Sequence, residues 1–197
     1  MQIQIPTSIV VSGMQESGKT QWIKNQLLPR IQGYYDELTI YSPVLKIINH
    51  YNESDWFANE KTSFESVNDD DIINVISEIL HSRQETPNQT QKVIILEDYT
   101  LKVLKFVSSV FKMAQNLNIS IVVVSQEAHK SYKIWDTCEH SVFFSQVFMK
   151  SMVKVLRQYA QKGDKQLESK VFKALTIPFN YIYATKGKPI SFGVANV

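Results

Sequence analysis

Residues 8–20 read SIVVSGMQESGKT, a short apolar run followed by an octapeptide of the form G-x-x-x-x-G-K-[ST]. The run predicts a buried β-strand over Ser8–Ser12, and the octapeptide opens a helical pattern over Gly18–Leu28. In this strand–loop–helix context, backbone N–H groups and the helix amino terminus hold phosphates. Lys19 then reaches the β- and γ-phosphates and Thr20 ligates Mg²⁺. The sequence therefore predicts a nucleotide site, and we expect ATP with Mg²⁺.

The predicted cofactor-binding residues are the octapeptide and the residue that follows it. Glu16 is the unusual member, because a carboxylate repels a triphosphate, and we expect it to point to solvent or toward a neighbouring subunit. The full set is Gly13, Met14, Gln15, Glu16, Ser17, Gly18, Lys19, Thr20 and Gln21.

Apolar, β-branched runs alternate with helical patterns along the rest of the chain. Further strands are predicted over Leu38–Tyr41, Val93–Leu96, Ile119–Val124 and Ser141–Phe144, and helices over Asp69–Ser82, Leu101–Gln115, Val147–Tyr159 and Asp164–Leu175. Tyr181–Thr185, a turn and Ile190–Val194 predict a hairpin. The polar segment Asn52–Asn68 receives no element. We expect an α/β fold, a three-layer P-loop NTPase (RecA/ASCE-like) with a mostly parallel central sheet and a carboxy-terminal antiparallel hairpin, in one domain over residues 1–197.

Two carboxylates end the apolar run Lys92-Val93-Ile94-Ile95-Leu96-Glu97-Asp98. This is a Walker B pattern in which Glu-Asp replaces the commoner Asp-Glu. We assign Glu97 to Mg²⁺ through water and Asp98 to orienting the attacking water, and the sequence allows the two roles to be exchanged. Alone, a solvated strand end is the better explanation of the pair. The octapeptide Gly13–Thr20 upstream, which is a Walker A motif (P-loop), favours the catalytic interpretation.

Gln126 follows the buried run Ile119–Val124 and Ser125. If this strand lies between the Walker A and Walker B strands, Gln126 reaches the γ-phosphate or its attacking water. The simpler interpretation of Ser-Gln after a strand is a helix N-cap. The predicted catalytic residues are Lys19, Glu97, Asp98 and Gln126.

Charge is unevenly distributed along the chain. The net charge is +2, but residues 1–129 hold 10 basic and 15 acidic residues (−5), and residues 130–197 hold 11 and 4 (+7). The later part is expected to face an anion, unless it is an ordinary solvated lysine surface. The single cysteine excludes an intramolecular disulfide, and the chain has no apolar run near the length of a membrane span, so we expect no membrane insertion.

The Walker A motif, the Walker B motif and the strand ending in Gln126 together resemble the FtsK/HerA branch of P-loop ATPases. Within that branch the chain is similar to the genome-packaging ATPases of double jelly-roll, membrane-containing viruses, the poxvirus-type packaging ATPase family, over residues 7 to about 145. The resemblance implies a homo-oligomeric ring, pentamer or hexamer, that hydrolyses ATP at subunit interfaces and translocates viral double-stranded DNA into a preformed capsid. It also implies a capsid or packaging-vertex protein as partner, and a location in the virion or host cytoplasm.

The arginines depart from that family's pattern, which often has one shortly before the strand that corresponds to Ile119–Val124 here. Here Gln115 stands there, and the chain has only Arg30, Arg83 and Arg157. We take Arg83 as the candidate finger supplied in trans to a neighbour's ATP. Contacts to DNA phosphates are expected from the basic carboxy-terminal part, although any one of these side chains could simply face solvent. The candidates are Lys130, Lys133, Lys150, Lys154 and Arg157.

Three alternatives share the same motifs. A cellular HerA-like DNA-pumping ATPase has the same core, whereas a filamentous-phage assembly ATPase would need a membrane segment. A nucleoside or nucleotide kinase has a similar length and a P-loop, but such kinases usually clamp the transferred phosphoryl group with several arginines. A nucleotide-dependent scaffold would not need Glu97-Asp98.

Overall fold

A single mixed sheet organises the chain in the computed structural model, which describes residues 3–52, 62–87, 90–145, 149–159 and 166–195. Its strands are β1 (Ser8–Ser12), β2 (Glu37–Ser42), β3 (Thr62–Ser66), β4 (Lys92–Glu97), β5 (Ile119–Ser125), β6 (His140–Phe143), β7 (Asn180–Thr185) and β8 (Ser191–Val194). The order across the eight-stranded sheet is β3-β2-β4-β5-β1-β6-β7-β8. Strands β1–β6 pair in parallel, and β7 and β8 add an antiparallel hairpin. The predicted fold class is confirmed.

The helices cover both faces of this sheet. They are α1 (Lys19–Trp22), α2 (Leu28–Ile31), α3 (Leu45–Asn52), α4 (Asp69–Glu85), α5 (Leu101–Asn116), α6 (Tyr132–Thr137), α7 (Met149–Tyr159) and α8 (Leu167–Leu175). A π-helical turn, Ile23–Leu27, joins α1 to α2, and Pro29 lies just beyond it. Proline has no N–H to donate to the preceding turn, which is a common cause of such a local change in helix geometry.

Alternation along the buried strands explains why two cores form. In β1, Val10 packs into one hydrophobic cluster, while Ile9 and Val11 pack into the other. The cluster on the side of Ile9 includes Trp22 from α1 and residues of α3. The opposite cluster draws on α4, α5, α7 and α8, with Phe111 among its fully buried side chains. The result is three layers, helix–sheet–helix, because successive strand residues point to opposite faces.

Two elements near the predicted gap were missed. Strand β3 pairs in parallel with β2 at the sheet edge, where Leu38 lies opposite Thr62 and Ser42 opposite Ser66. Much of β3 is exposed, so an edge strand forms without the apolar run that marks a buried one. Helix α3 precedes it and buries only Ile48 and Tyr51. Both elements matter below, because α3 reaches the site.

Candidate nucleotide site

The carboxyl ends of three adjacent parallel strands lie side by side at one end of the sheet. Strand β5 lies between β1 and β4, as the sequence predicted. Ser12 is in register with Ser125, and Glu97 with Val124. The loops that follow these strands, which carry Gly13–Thr20, Asp98 and Gln126, therefore leave the sheet side by side. In open α/β sheets, ligands bind at the carboxyl ends of the strands.

The glycine loop is closely packed against the end of β6. A Cβ atom added at Gly13 would lie 2.5 Å from Ser17 Oγ and 2.6 Å from Phe144 Cβ, so only glycine fits. Gly18, at the start of α1, has φ 100°, a left-handed conformation that glycine adopts without steric cost. The Met14 N–H donates to the Ser145 carbonyl at 2.9 Å and anchors the loop. Glu16 is exposed, in agreement with the expectation that it points to solvent.

Lys19 and Ser17 carry polar atoms that an anion would satisfy. The Lys19 ammonium donates to the carbonyls of Gly13 at 3.1 Å and Met14 at 2.7 Å, so it folds back over the loop. Burial lowers the pKa of Lys19, and the negative charges of Asp98 and Glu97 oppose this effect. Ser17 Oγ is buried and has no hydrogen-bond partner among the described residues. A buried hydroxyl without a partner is costly, and a phosphate oxygen over the loop would supply one.

Glu97 and Thr20 form the part of the site that fits Mg²⁺. The Thr20 hydroxyl donates to Glu97 Oε1 at 2.8 Å, which joins the Walker A helix to the Walker B strand. Glu97 is only 4% exposed. Burial raises its pKa, whereas the hydrogen bonds from Tyr51 and Thr20 lower it. A carboxylate beside a hydroxyl, next to a triphosphate loop, is the oxygen donor set that Mg²⁺ prefers.

Tyr51 is a member of the site that the sequence did not predict. Its hydroxyl donates to Glu97 Oε2 at 2.6 Å, and the side chain is completely buried. Tyr51 lies at the end of α3 beside the polar segment to which no element was assigned. Its tyrosine type carries no motif signal, so only the tertiary structure reveals this contact.

Asp98 and Gln126 lie just beyond the carboxyl ends of β4 and β5, the two strands next to one another in the sheet beside β1. Asp98 is half-buried with φ 60°, and its N–H donates to the Val124 carbonyl at 2.9 Å. A non-glycine residue with positive φ is uncommon and is often found at functional sites. Gln126 is exposed just beyond β5. The structure thus brings Lys19, Glu97, Asp98 and Gln126 to the same end of the sheet, where the carboxyl ends of the parallel strands lie.

Arg83, the candidate arginine finger, lies at the opposite end of the sheet, near the amino ends of the strands. Its guanidinium donates to the Thr90 carbonyl at 3.2 Å, near the end of α4. It lines a surface cleft together with Glu37 and Lys92, the first residues of β2 and β4. Because the octapeptide loop Gly13–Thr20 follows the carboxyl end of β1, Arg83 and this loop lie at opposite ends of the sheet.

The candidate DNA-contacting cations occupy two regions. Lys130 pairs with Glu127 just beyond β5, and Lys133 is exposed on α6, so both follow the strand that ends at Gln126. Lys154 and Arg157 are exposed on α7, and Arg157 Nη2 lies 3.5 Å from Glu168 Oε2. Lys150 is also in α7, but its side chain is outside the described residues.

The fold, with a glycine-rich loop at the carboxyl ends of its parallel strands, defines the structural class of P-loop NTPases. No family model matches the chain, and no curated protein matches it. Among solved structures, B204, the DNA-packaging ATPase from Sulfolobus turreted icosahedral virus, superimposes with TM-score 0.65 at 13% identity, over 94% of this chain and 96% of that chain. B204 from Sulfolobus turreted icosahedral virus 2 in complex with sulfate gives TM-score 0.68 at 14% identity, over 97% of each chain.

A more distant likeness extends to secretion ATPases. The cytoplasmic domain of the Thermomonospora curvata type VII secretion ATPase EccC gives TM-score 0.59 at 10% identity, over 95% of this chain and 25% of that chain. At such identities the likeness shows the fold. The predicted resemblance to FtsK/HerA-type viral packaging ATPases is confirmed at that level. Among the described residues, no helix is long and apolar enough to cross a membrane.

Proposed function

We propose that this protein is a Mg²⁺-dependent ATPase that drives viral double-stranded DNA into a preformed capsid. The observation that carries the proposal is the Thr20–Glu97 hydrogen bond, 2.8 Å long, which joins the phosphate loop to the acidic strand end next to β5. The fold supports the packaging assignment, because B204, which shares it over nearly the whole chain, is a DNA-packaging ATPase.

Each residue of the site has a distinct task in hydrolysis. Mg²⁺, when bound, neutralises charge on the β- and γ-phosphates, and Thr20 and Glu97 are the residues that would hold it. Lys19 exchanges its two loop carbonyl partners for phosphate oxygens. Asp98 accepts a hydrogen bond from the attacking water and so orients it toward phosphorus. Gln126 donates its amide N–H to a γ-phosphate oxygen.

A ring is the assembly that makes use of Arg83. The guanidinium lies near the amino ends of the strands, at the end of the sheet away from its own P-loop. It would therefore stabilise the charge on the γ-phosphate only in an adjacent subunit. In the proposed homo-oligomer, pentamer or hexamer, each ATP site is therefore completed by a neighbour. A capsid or packaging-vertex protein would dock this ring, in the virion or host cytoplasm.

Duplex DNA is the proposed macromolecular substrate. The net charge of +7 over residues 130–197 supplies cations for phosphate contacts. Such contacts carry no sequence information, which suits a motor that must move along any sequence. Lys133 and Lys154 are exposed, and we propose them for this role together with Lys130, Lys150 and Arg157.

The test is ATP turnover with and without long duplex DNA over a salt series, together with the oligomeric state by light scattering. The proposal expects DNA to stimulate turnover, stimulation to weaken steeply with salt, and a ring to form with ATP and DNA. A monomer whose turnover is stimulated by a nucleoside that becomes phosphorylated would contradict the proposal and identify a kinase.

A further inference from the structure

The Walker B glutamate receives a second hydrogen bond from outside the two motifs. Thr20 donates to Glu97 Oε1 at 2.8 Å, and Tyr51 donates to Oε2 at 2.6 Å. The two donors come from different helices, α1 and α3. Each carboxylate oxygen therefore has one fixed donor, and rotation of the carboxylate plane would break both bonds.

The Tyr51 ring is itself held on several sides. It stacks on Phe64 of β3, with centroids 6.4 Å apart and an interplanar angle of 18°. The Lys24 ammonium lies 5.6 Å from the ring centroid and 3.1 Å from His50 Nε2. Lys24 reaches this position from the π-helical turn after the Walker A helix. The hydroxyl is therefore presented by a ring with little freedom to move.

A buried carboxylate that must hold a metal benefits from such a fixed donor. At 4% exposure, Glu97 has lost nearly all contact with water, so protein groups must satisfy its oxygens. A hydrogen bond to a charged group is stronger than one between neutral groups, so a fixed donor selects one carboxylate orientation over others.

We infer that Tyr51 is a positioning residue that fixes Glu97 in the orientation that takes Mg²⁺ beside Thr20. This inference rests on the proposed use of Mg²⁺ and ATP and is independent of DNA. Residues that hold a metal ligand by hydrogen bonds typically change metal affinity or activity by about 10–100-fold when removed. Loss of the Tyr51 hydroxyl should therefore weaken the Mg²⁺-dependent part of nucleotide binding and leave the Mg²⁺-independent part unchanged.

The experiment measures the Kd of a fluorescent, non-hydrolysable ATP analogue in Mg²⁺ and in EDTA. For Tyr51→Phe, which keeps the ring, the ratio of the Kd in EDTA to the Kd in Mg²⁺ should fall about 10-fold relative to wild type, with the Kd in EDTA unchanged. The matched control is Tyr183→Phe, which removes a buried hydroxyl bonded to His140 Nδ1 at 2.7 Å and should keep the wild-type ratio.

Two further variants separate the hydroxyl from the packing of the ring. In a Glu97→Gln background, Tyr51→Phe should cause no additional loss, because the residue acts through Glu97. Phe64→Leu loosens the ring but keeps the hydroxyl, so it should lower the ratio less than Tyr51→Phe does. An equal or larger loss in Phe64→Leu would assign the effect to packing and overturn the inference.

The outcomes also separate this inference from the proposed function. Wild-type protein whose Kd does not depend on Mg²⁺ would overturn the proposed Mg²⁺ use and the inference with it. A Tyr51→Phe variant that keeps the full Mg²⁺ effect, or that loses affinity equally in EDTA, would overturn the inference alone. Thermal unfolding of each variant confirms that the protein compared is folded.

Discussion

Gly13→Ala is the substitution whose effect the structure determines most closely. The new Cβ would lie 2.6 Å from Phe144 Cβ, whereas ordinary contacts begin near 3.4 Å, so the groups must separate by about 0.8 Å. Ser17 Oγ, at 2.5 Å, can rotate away, but Phe144 is fully buried and cannot. The loop must therefore shift. Overpacking of this kind costs about 1–3 kcal/mol of unfolding free energy, and a displacement near 1 Å at a reacting centre can cost about 100-fold in rate.

Calorimetric titration with a non-hydrolysable ATP analogue, followed by steady-state hydrolysis, measures both effects of Gly13→Ala. We expect a much higher Kd for the analogue and a fall in kcat/KM of about 100-fold. The control is Gly33→Ala, where φ is 85° but, among the described residues, no atom beyond the glycine and its chain neighbours lies within 4 Å of the new Cβ. That variant should lose about 1 kcal/mol of stability and bind ATP normally. Binding by Gly13→Ala within about 3-fold of wild type would refute the packing argument.

Three other predictions concern the metal, pH and DNA. Thr20→Val removes the donor to Glu97 Oε1, so turnover in a Mg²⁺ titration should fall about 100-fold, whereas Thr20→Ser should keep most activity. Equal rates in the two variants would contradict the assignment of Thr20 to Mg²⁺. Burial lowers the pKa of His140, so the unfolded chain binds its proton first and stability is lost as pH falls below 6.5. Thermal unfolding between about pH 5 and 8 should show less of this loss in His140→Gln; an unchanged pH dependence would exclude His140 as its source. Lys133→Ala should reduce the salt dependence of duplex binding by about one counterion, and Lys46→Ala should not; no change would remove Lys133 from the DNA surface.

The sequence predicted the fold because its signals are local. Each central strand is a run of β-branched residues, and strands buried on both faces need such runs in every parallel sheet. The octapeptide after β1 and the two acids at the end of β4 are likewise continuous in sequence. Parallel pairing brings the two motifs to the same end of the sheet, so the motifs are enough to place Glu97 near Thr20.

The sequence did not predict β3, α3 or Tyr51, because their positions depend on tertiary contacts. Strand β3 is stabilised by pairing with β2 at an edge, where exposed polar residues are tolerated. Tyr51 touches a residue 46 positions away, and no spacing rule relates a tyrosine on one helix to a glutamate at a distant strand end. The folded-back Lys19 side chain and the buried Ser17 hydroxyl without a partner are equally invisible in the motif.

Phosphate release by Lys19→Ala tests the central claim that this loop and Glu97 hydrolyse ATP. The measurement compares steady-state turnover of wild type, Lys19→Ala and Lys46→Ala, an exposed lysine on α3, at matched concentrations after circular dichroism has shown all three to be folded. The account predicts Mg²⁺-dependent hydrolysis in wild type and Lys46→Ala, and loss of at least about 100-fold in Lys19→Ala, because no other cation in the loop can contact the γ-phosphate. Wild-type turnover in folded Lys19→Ala would contradict it.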